Sequence, residues 1–337
     1  MKVLVTGASG MLGAGVAEAL AARGDDVKVL QRRSSGLPLS EVLADISDAD
    51  AVAAAVAGHD AVVHLAAKVN IVGAWADYQR ANVTGTANVV AACRRAGVRR
   101  LVHVSSPSVA HAGVALVGAG ADPADPQRAR GSYARSKAAA EQIALGADGT
   151  SLAVVAVRPH VVWGPGDTQL VARVVERGRS GRLPVIGSGA ALVDTTYVSN
   201  AVDALVAALD HCEEAHGQAL VVSNGEPRPI SEIFAAFCIA AGVSPSGPRV
   251  PTRLALAAGT VVQTLWPLRR GDESDPPVTR FLVEQLSTAH WFDQRHTRAV
   301  LAWRPRVSID AGLAELARWH RARRHLTVGT GANPQTS

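Results

Sequence analysis

Apolar residues follow two alternating patterns along the first half of the chain. Short runs rich in β-branched residues predict strands at Lys2–Thr6, Val27–Leu30, Leu43–Ile46, Ala61–Leu65, Leu101–Ser105 and Leu152–Val157. Apolar positions spaced three and four apart predict the helices between them, at Leu12–Arg23, Ala49–Ala57, Tyr78–Ala96 and Tyr133–Leu145. Strands that alternate with helices of this length indicate βαβ units and a parallel sheet with helices on both faces.

The alternation ends after Pro159, where Gly164, Pro165, Gly166 and Asp167 form a turn cluster. Beyond it, helices such as Ala201–Leu209 are mixed with short strands and Pro-rich loops. We therefore predict a doubly wound α/β fold with a core over 1–165. A smaller mixed C-terminal substrate lobe is predicted over 166–326, with segments that return to the core, and a disordered tail over 327–337.

Composition and charge narrow the function classes. The chain is 48% hydrophobic and 19% charged, which excludes a disordered protein. Three cysteines without a C-x-x-C spacing exclude a disulfide scaffold and provide no metal-ligand pattern, so we expect no metal site. They indicate a reducing, cytoplasmic location. The net charge is +5, but no basic stripe interleaved with aromatic residues is present, so we expect no nucleic-acid partner.

The segment Leu254–Leu268 is unusually apolar and is followed by Arg269 and Arg270. It is too short to cross a bilayer, and two interpretations stay open. It is either a buried helix over a substrate pocket, which we favour, or a peripheral membrane contact through 254–270.

A glycine loop follows the first strand and opens the first helix. Gly7, Gly10 and Gly13 are spaced G-x-x-G-x-x-G within Val5–Gly13. Glycine permits a tight turn and a close approach of the backbone to a pyrophosphate, whose charge is favoured at a helix N-terminus. The loop predicts a Rossmann-type dinucleotide site.

The end of the second strand indicates which dinucleotide binds. A carboxylate there usually contacts the 2′-hydroxyl of NAD. This chain has Arg32 and Arg33 instead, and a guanidinium matches a phosphate. We predict NADP(H), with Arg32 the preferred ligand of the 2′-phosphate and NAD(H) as the alternative. Asp45 and Ile46, placed at the end of the third strand, are expected near the adenine.

Tyr133 and Lys137 lie one turn apart on a predicted helix. An ammonium beside a phenol favours the phenolate, so the tyrosine can act as a general acid or base on an alcohol or ketone. Lys137 can also hold the nicotinamide ribose. Ser105 or Ser106, after the fifth strand, can hydrogen-bond the substrate oxygen.

These motifs together resemble the extended short-chain dehydrogenase/reductase family, which includes NAD-dependent epimerases and dehydratases. The motifs that carry the resemblance are Thr6–Gly13, His64-Leu65-Ala66-Ala67, Asn82-Val83-Thr84-Gly85-Thr86, Val104-Ser105-Ser106, and Arg158-Pro159 with Gly164-Pro165-Gly166. The resemblance implies catalytic roles for Ser106, Tyr133, Lys137 and Asn82. It further implies cofactor contacts at Gly7, Ser9, Gly10, Met11, Leu12, Gln31, Leu65, Ala66, Ala67, Lys68, Tyr133, Lys137, Pro159, Val161 and Val162.

Within this family the chain is similar to the 3β-hydroxysteroid dehydrogenase branch, and to bacterial 2-alkyl-3-oxoalkanoate reductases in particular. Segments such as Ser106-Pro107-Ser108-Val109 and His290-Trp291-Phe292-Asp293 carry this likeness. It implies a ketoreductase for a bulky apolar or amphipathic substrate, and a homodimer. A sugar-nucleotide epimerase and a non-catalytic cofactor sensor are the alternatives. Dehydration is disfavoured because Pro107-Ser108 stands where the dehydratases carry an Asp-Glu pair.

Overall fold

A computed structural model describes residues 1–70, 73–110, 113–266, 276 and 278–329. Its strands, in chain order, are Lys2–Thr6 (β1), Asp26–Gln31 (β2), Ser40–Leu43 (β3), Ala61–His64 (β4), Arg100–Val104 (β5), Leu116–Ala119 (β6), Ala153–Pro159 (β7), Val162–Trp163 (β8), Val185–Ile186 (β9), Leu192–Val193 (β10), Thr196–Tyr197 (β11), Ala219–Val222 (β12), Arg228–Pro229 (β13), Arg249–Val250 (β14) and His290–Phe292 (β15).

The α-helices are Met11–Ala22 (α1), Ala49–Val56 (α2), Trp75–Tyr78 (α3), Gly85–Ala96 (α4), Gly131–Leu145 (α5), Val171–Arg179 (α6), Val198–Asp210 (α7), Cys212–Ala215 (α8), Ile230–Ala240 (α9), Thr252–Leu265 (α10), Arg280–Ser287 (α11), Arg295–Val300 (α12) and Ile309–Gly329 (α13). A π-helical turn over Gln79–Thr84 joins α3 to α4, and a 3₁₀ turn over Pro107–Ala110 follows β5.

The main sheet has seven strands in the order β12-β7-β5-β4-β1-β2-β3, and every pairing is parallel. Alternate residues of each strand point to opposite faces of the sheet. Val3 and Val5 of β1 therefore pack with α1 and α7, whereas Leu4 packs on the side of α2 and α4. Helices on both faces of a parallel sheet confirm the predicted doubly wound fold.

A smaller lobe packs beside this sheet around Trp163, Phe237 and Leu316, all of which are fully buried. Its four-stranded sheet has the order β13-β10-β15-β6, with one antiparallel pair and two parallel pairs. Its strand β6 comes from the segment between Ser106 and Tyr133. Part of the lobe is therefore built from a segment that connects two elements of the core, β5 and α5. Conversely, α7 packs on the main sheet and β12 pairs with β7 at its edge.

Two local predictions were wrong. The third strand ends at Leu43 instead of Ile46, because β3 pairs with β2 only as far as Gln31 opposite Leu43. Asp45 lies beyond it, where its carboxylate accepts a hydrogen bond from Ser47 N at 2.9 Å and turns the chain towards α2. The predicted helix at Tyr78–Ala96 is instead three consecutive pieces, with the π-helical turn between α3 and α4.

Helix α10 packs on α11 through its small residues. Ala255 and Gly259 are buried there, and a Cβ on Gly259 would lie 2.8 Å from the backbone nitrogen of Arg280. Leu254, Val261 and Leu265 are exposed, so the part of the predicted apolar segment that the structure describes is not a buried helix. Residues 267–270 lie outside the described residues. Among the described residues, no helix is long and apolar enough to cross a bilayer.

The chain beyond residue 326 was predicted to be a disordered tail. Helix α13 runs to Gly329, three residues into that segment. Residues 330–337 lie outside the part that the structure describes.

Candidate active site

The glycine loop connects β1 to α1 with a backbone that only glycine adopts readily. Gly7 has a φ of +81°, and a Cβ there would lie 2.8 Å from Ala66 N. A Cβ on Gly13 would overlap the Gly7 carbonyl oxygen. Gly10 is the N-cap of α1, and no side chain caps the helix. The backbone amides at the start of α1, near Ser9, Met11 and Leu12, therefore donate to no capping side chain. A pyrophosphate site requires such amides.

The end of β2 presents two arginines. Arg32 and Arg33 are exposed, and the Arg32 side chain, 70% exposed, has its Nη1 atom 4.0 Å from the Asp45 carboxylate. Neither is held in a close ion pair with a described residue, so both are available to a phosphate. The Gln31 side chain, by contrast, is 3% exposed and donates to Glu41 Oε1. The amide nitrogen of Gln31 is therefore not free to make the predicted contact with the cofactor.

The segment after β4 lies beside the glycine loop. Ala66 N donates to Thr6 Oγ1 at 3.1 Å, which joins the ends of β1 and β4. Leu65, Ala66, Ala67 and Lys68 are all partly exposed there. This is the position in which the resemblance places their cofactor contacts. The glycine loop and this segment thus fit a dinucleotide.

The three predicted catalytic side chains come from two neighbouring elements. Ser106 follows β5 directly, and α5 carries Tyr133 and Lys137. Burial raises the pKa of Tyr133, and the nearby Ser106 side chain acts in the opposite direction. Ser105, the alternative serine, is buried, and its Oγ has no partner among the described residues. The structure therefore pairs Ser106, not Ser105, with the tyrosine.

Lys137 is 4% exposed, and its Nζ atom donates to the Val104 carbonyl oxygen at 2.6 Å. Burial lowers the pKa of Lys137 to about 8, because a charged ammonium is disfavoured away from water, while the carboxylate of Glu141 acts in the opposite direction. The predicted lowering of the Tyr133 pKa by Lys137 is not seen in the chain alone, where the net pKa shift of the phenol is upward.

Asn82, predicted as catalytic, is held by buried hydrogen bonds between two parts of the site. It is buried in the π-helical turn, where its Oδ1 accepts from Lys68 N at 2.7 Å. Its Nδ2 donates to Lys68 O at 3.1 Å and to Ser136 Oγ at 2.9 Å. Ser136 in turn donates to the Tyr133 carbonyl oxygen at 2.8 Å. One amide therefore joins the segment after β4 to the helix that carries the tyrosine and the lysine.

The stretch after β7 was predicted to pass the nicotinamide. Pro159 is the last residue of β7, and Val161 has a φ of +45°, an uncommon backbone conformation for a β-branched residue. Val162 begins β8 and pairs with Thr196. Before them, Arg158 and Glu141 form a fully buried ion pair with an N–O distance of 2.6 Å. This pair joins β7 to the helix of Tyr133 and Lys137, and so orders the two sides of the site.

Sequence reasoning missed a set of buried polar residues under the site. His64 contacts Thr6 Oγ1 at 2.8 Å and Thr86 Oγ1 at 3.0 Å through its two ring nitrogens. Burial, together with the charge of Lys137, lowers the pKa of His64 to about 3. His103 lies beside it, with ring centroids 5.5 Å apart. The sequence signal that could have revealed these residues was a histidine among the apolar residues of β4 and of β5. Within the described residues, no cluster of histidine, cysteine and carboxylate side chains is placed to hold a metal.

Comparison with known proteins identifies the family. Residues 3–223 match the NAD dependent epimerase/dehydratase family. The chain is 42% identical over 325 residues to a 2-alkyl-3-oxoalkanoate reductase of Stenotrophomonas maltophilia, covering 94% of this chain and 98% of that protein. It is 31% identical to a 3-beta-hydroxysteroid dehydrogenase of Mycolicibacterium neoaurum, covering 99% and 95% of the two chains. The structure of MoeE5 in complex with UDP-glucose and NAD superposes with a TM-score of 0.74 at 27% identity, covering 97% of this chain and 100% of that one.

The chain therefore belongs to the NAD dependent epimerase/dehydratase family, the extended short-chain dehydrogenases/reductases. It is an enzyme of the dehydrogenase/reductase class, and the family relationship that the motifs indicated is confirmed.

Proposed function

We propose that this enzyme interconverts a ketone and a secondary alcohol at the third carbon of a bulky apolar substrate, with NADP(H) as its cofactor. The preferred substrate class is the 2-alkyl-3-oxoalkanoates, and 3β-hydroxysteroids are the second. The observation that carries the proposal is the placement of the Ser106 side chain beside the Tyr133 phenol, with the buried Lys137 one helical turn further along. The substrate class is supported by the 42% identity to a protein of that name over nearly its full length.

The side chains divide the work around one substrate oxygen. Ser106 Oγ and the Tyr133 phenol are two hydroxyl groups that can donate to the same ketone oxygen. In reduction, Tyr133 gives its proton to that oxygen while the carbon accepts a hydride; in oxidation it takes the proton back. Bound NADP(H) supplies or accepts the hydride. Lys137, one helical turn further along, is protonated below its pKa of about 8, and its ammonium would hold the nicotinamide ribose of the bound cofactor.

The choice of NADP(H) rests on the end of β2. A guanidinium fork binds a phosphate through paired hydrogen bonds, and Arg32 and Arg33 are both exposed at this point. The Nη1 atom of Arg32 lies 4.0 Å from a carboxylate oxygen of Asp45. The Asp45 carboxylate also accepts a hydrogen bond from Ser47 N. Asp45 is therefore held by its own turn, and we infer that it does not replace the missing acidic ribose ligand.

The experiment is a pair of measurements on the purified protein. Fluorescence titration with NADPH and with NADH gives the two dissociation constants, and we expect NADPH to bind more tightly. Oxidation of a 2-alkyl-3-hydroxyalkanoate with NADP⁺ is then followed by absorbance, because a 3-oxo acid loses carbon dioxide too readily to be a clean starting material. Tight cofactor binding without turnover of any 3-hydroxy acid or 3β-hydroxysteroid would favour the cofactor-sensor alternative.

A sugar-nucleotide epimerase is the second candidate, since MoeE5, a structural neighbour over 97% of this chain, binds UDP-glucose. The described residues after Ser106 continue with Pro107 and Ser108, and Pro107 is buried in the 3₁₀ turn. The Asp-Glu pair of the dehydratases is therefore not present at these positions. Incubation with UDP-glucose and NAD⁺, with the products resolved by chromatography, tests this alternative. Formation of UDP-galactose would overturn the ketoreductase proposal.

A further inference from the structure

The catalytic tyrosine lies in the first turn of its helix. Tyr133 is the third residue of α5, which begins at Gly131. Gly131 has a φ of +84°, and the N-cap residue, Arg130, makes no side-chain capping hydrogen bond with the described helix. A helix start without such a cap is less stable and frays. The position of Tyr133 therefore depends on the tertiary contacts around this first turn.

One of these contacts joins the helix start to the smaller lobe. The Nη1 atom of Arg130 donates to Glu284 Oε1 at 2.5 Å, across 154 positions of the sequence. Glu284 lies on α11, the helix on which α10 packs. A hydrogen bond between an arginine and a carboxylate is charge-assisted and stronger than one between neutral groups. The pair therefore connects α5 directly to the helices of the lobe.

Glu284 is itself held in place on α11. Its side chain is 10% exposed, and Arg280 Nε, one turn earlier, donates to the same Oε1 atom at 3.0 Å. Burial acts to raise the pKa of Glu284, but the hydrogen bonds and charges of the two arginines outweigh it and hold this pKa below its usual value. Glu284 is therefore an ionised acceptor of fixed position at neutral pH.

The Arg130 guanidinium also contacts the segment that follows Ser106. Gly113, in that segment, has a φ of +81°, and an added Cβ there would overlap the guanidinium. The backbone of Gly113 therefore lies against Arg130 with no room for a side chain. The same segment continues into β6, which pairs with β15, the strand that follows α11. Arg130 thus lies where the segment after Ser106, the start of α5 and the lobe meet.

Helix α5 is held on both sides of the tyrosine. Its hydrogen bonds with Asn82 and with Arg158 lie on the C-terminal side of Tyr133. The pair of Arg130 with Glu284 lies on the N-terminal side. Loss of this pair would leave the first turn of α5 attached mainly from one side, and the phenol is carried by that turn. The geometry therefore gives the pair a role that the contacts further along the helix do not supply.

From these contacts we propose that Glu284 is a positioning residue for Tyr133 and acts through Arg130. The ion pair orders the first turn of α5 and so fixes where the phenol meets the substrate oxygen. The lobe thereby contributes to the geometry of the catalytic helix in the core. The catalytic consequence rests on the proposed function, whereas the ordering of the helix start is independent of any substrate.

The first measurement needs no substrate. Hydrogen–deuterium exchange of the full-length protein is compared with that of Glu284→Gln, which keeps the side-chain size but removes the charge. We expect exchange at the start of α5 to become about tenfold faster or more, the scale of a lost hydrogen bond to a charged group. Arg130→Met carries the same prediction if the first variant does not fold. The matched control is Glu213→Gln, which weakens an ion pair with Arg100 at the other end of β5 and should leave α5 unchanged.

The second measurement is steady-state oxidation of the 3-hydroxy substrate. Glu284→Gln should lower kcat by about tenfold with a smaller change in KM, because a displaced reacting group slows the chemical step. Combining it with Arg130→Met should cost no more than either change alone, since both remove one interaction. Unchanged exchange at the start of α5, a wild-type kcat in Glu284→Gln, or additive losses in the double variant would each overturn the proposal. Faster exchange in a protein whose wild type oxidises none of the substrates would instead refute the proposed function and support the ordering of the helix.

Discussion

The Nδ2 atom of Asn82 donates a 2.9 Å hydrogen bond to Oγ of Ser136, across 54 positions of the sequence. Asn82 also binds both backbone polar groups of Lys68, in the segment that lies beside the glycine loop. Ser136 lies between Tyr133 and Lys137 on α5. The relationship therefore couples the cofactor side of the site to the catalytic helix through two buried side chains.

We expect Asn82→Ala to lower kcat by about tenfold to a hundredfold, because small displacements of reacting groups carry costs of that order. KM for the alcohol should change much less, since Asn82 does not touch the substrate in the proposed arrangement. Steady-state kinetics separate the two constants. The control is Asn88→Ala on α4, which removes one hydrogen bond from Asn88 Nδ2 to Ile46 O and should leave kcat unchanged. Equal losses in both variants would show a general effect on folding.

Tyr133→Phe removes only the phenolic oxygen. Turnover should fall by about a hundredfold to ten-thousandfold, the usual contribution of a positioned general acid or base. Circular dichroism and NADPH affinity should remain those of the wild type. Tyr197→Phe is the matched control, because that hydroxyl contacts Glu315 in the lobe. Near-normal turnover of Tyr133→Phe would contradict the mechanism.

Arg32→Ala should reduce the preference for NADPH over NADH by about tenfold or more, the scale of one lost charge-assisted pair. NADH affinity should change little, because NADH carries no 2′-phosphate. Titrating both cofactors into both proteins gives the ratio directly. Arg33→Ala should have the smaller effect, and exposed Arg95, at the far end of α4, supplies the control variant Arg95→Ala. Parallel loss of both affinities would indicate a structural role for Arg32.

The pH dependence of reduction should follow Lys137. Its pKa is lowered to about 8, and the charged ammonium exists below that value. The kcat/KM for reduction should therefore fall as pH rises through about 8, because this constant reports groups of the free enzyme. A rate profile from about pH 6 to about pH 10 measures it. A profile that stays level to the alkaline end would show that the charge of Lys137 is not required.

Acid stability should depend on the two buried histidines. Their pKa values are lowered in the folded state, to about 3 for His64 and well below the ordinary value for His103. The unfolded chain therefore binds more protons, and the free energy of unfolding should decrease as pH falls from about 6.5 towards about 3. Denaturant unfolding across this range measures the loss.

The two histidines should respond differently to substitution. His103 has no hydrogen-bond partner for either ring nitrogen among the described residues, so His103→Leu should be nearly neutral near pH 7 and reduce the acid sensitivity. His64→Leu should cost about 1 to 3 kcal/mol, because Thr6 and Thr86 each lose a buried partner. Equal destabilisation by both changes would contradict this assignment.

Much of the core could be predicted because its signals are local. The strand Lys2–Thr6 was predicted with its observed bounds, and the glycine loop stands where Gly7 and Gly13 leave no room for a Cβ. The third strand was misplaced because its limits depend on pairing with β2, which no local pattern records. Asp45 was placed inside that strand for the same reason, whereas it lies two residues beyond its end. The hydrogen bond of Gln31 could not be predicted from the sequence, because its partner Glu41 lies on the neighbouring strand.

The sequence by itself determined the alternation of strands and helices, the start of α1 at the glycine loop, and the one-turn spacing of Tyr133 and Lys137, because each depends on residues a few positions apart. Tertiary structure alone decided that Ser106 rather than Ser105 lies beside Tyr133, and that Asn82 joins Lys68 to Ser136. These contacts join residues far apart in the chain, and their geometry follows from how the sheets and helices pack against each other.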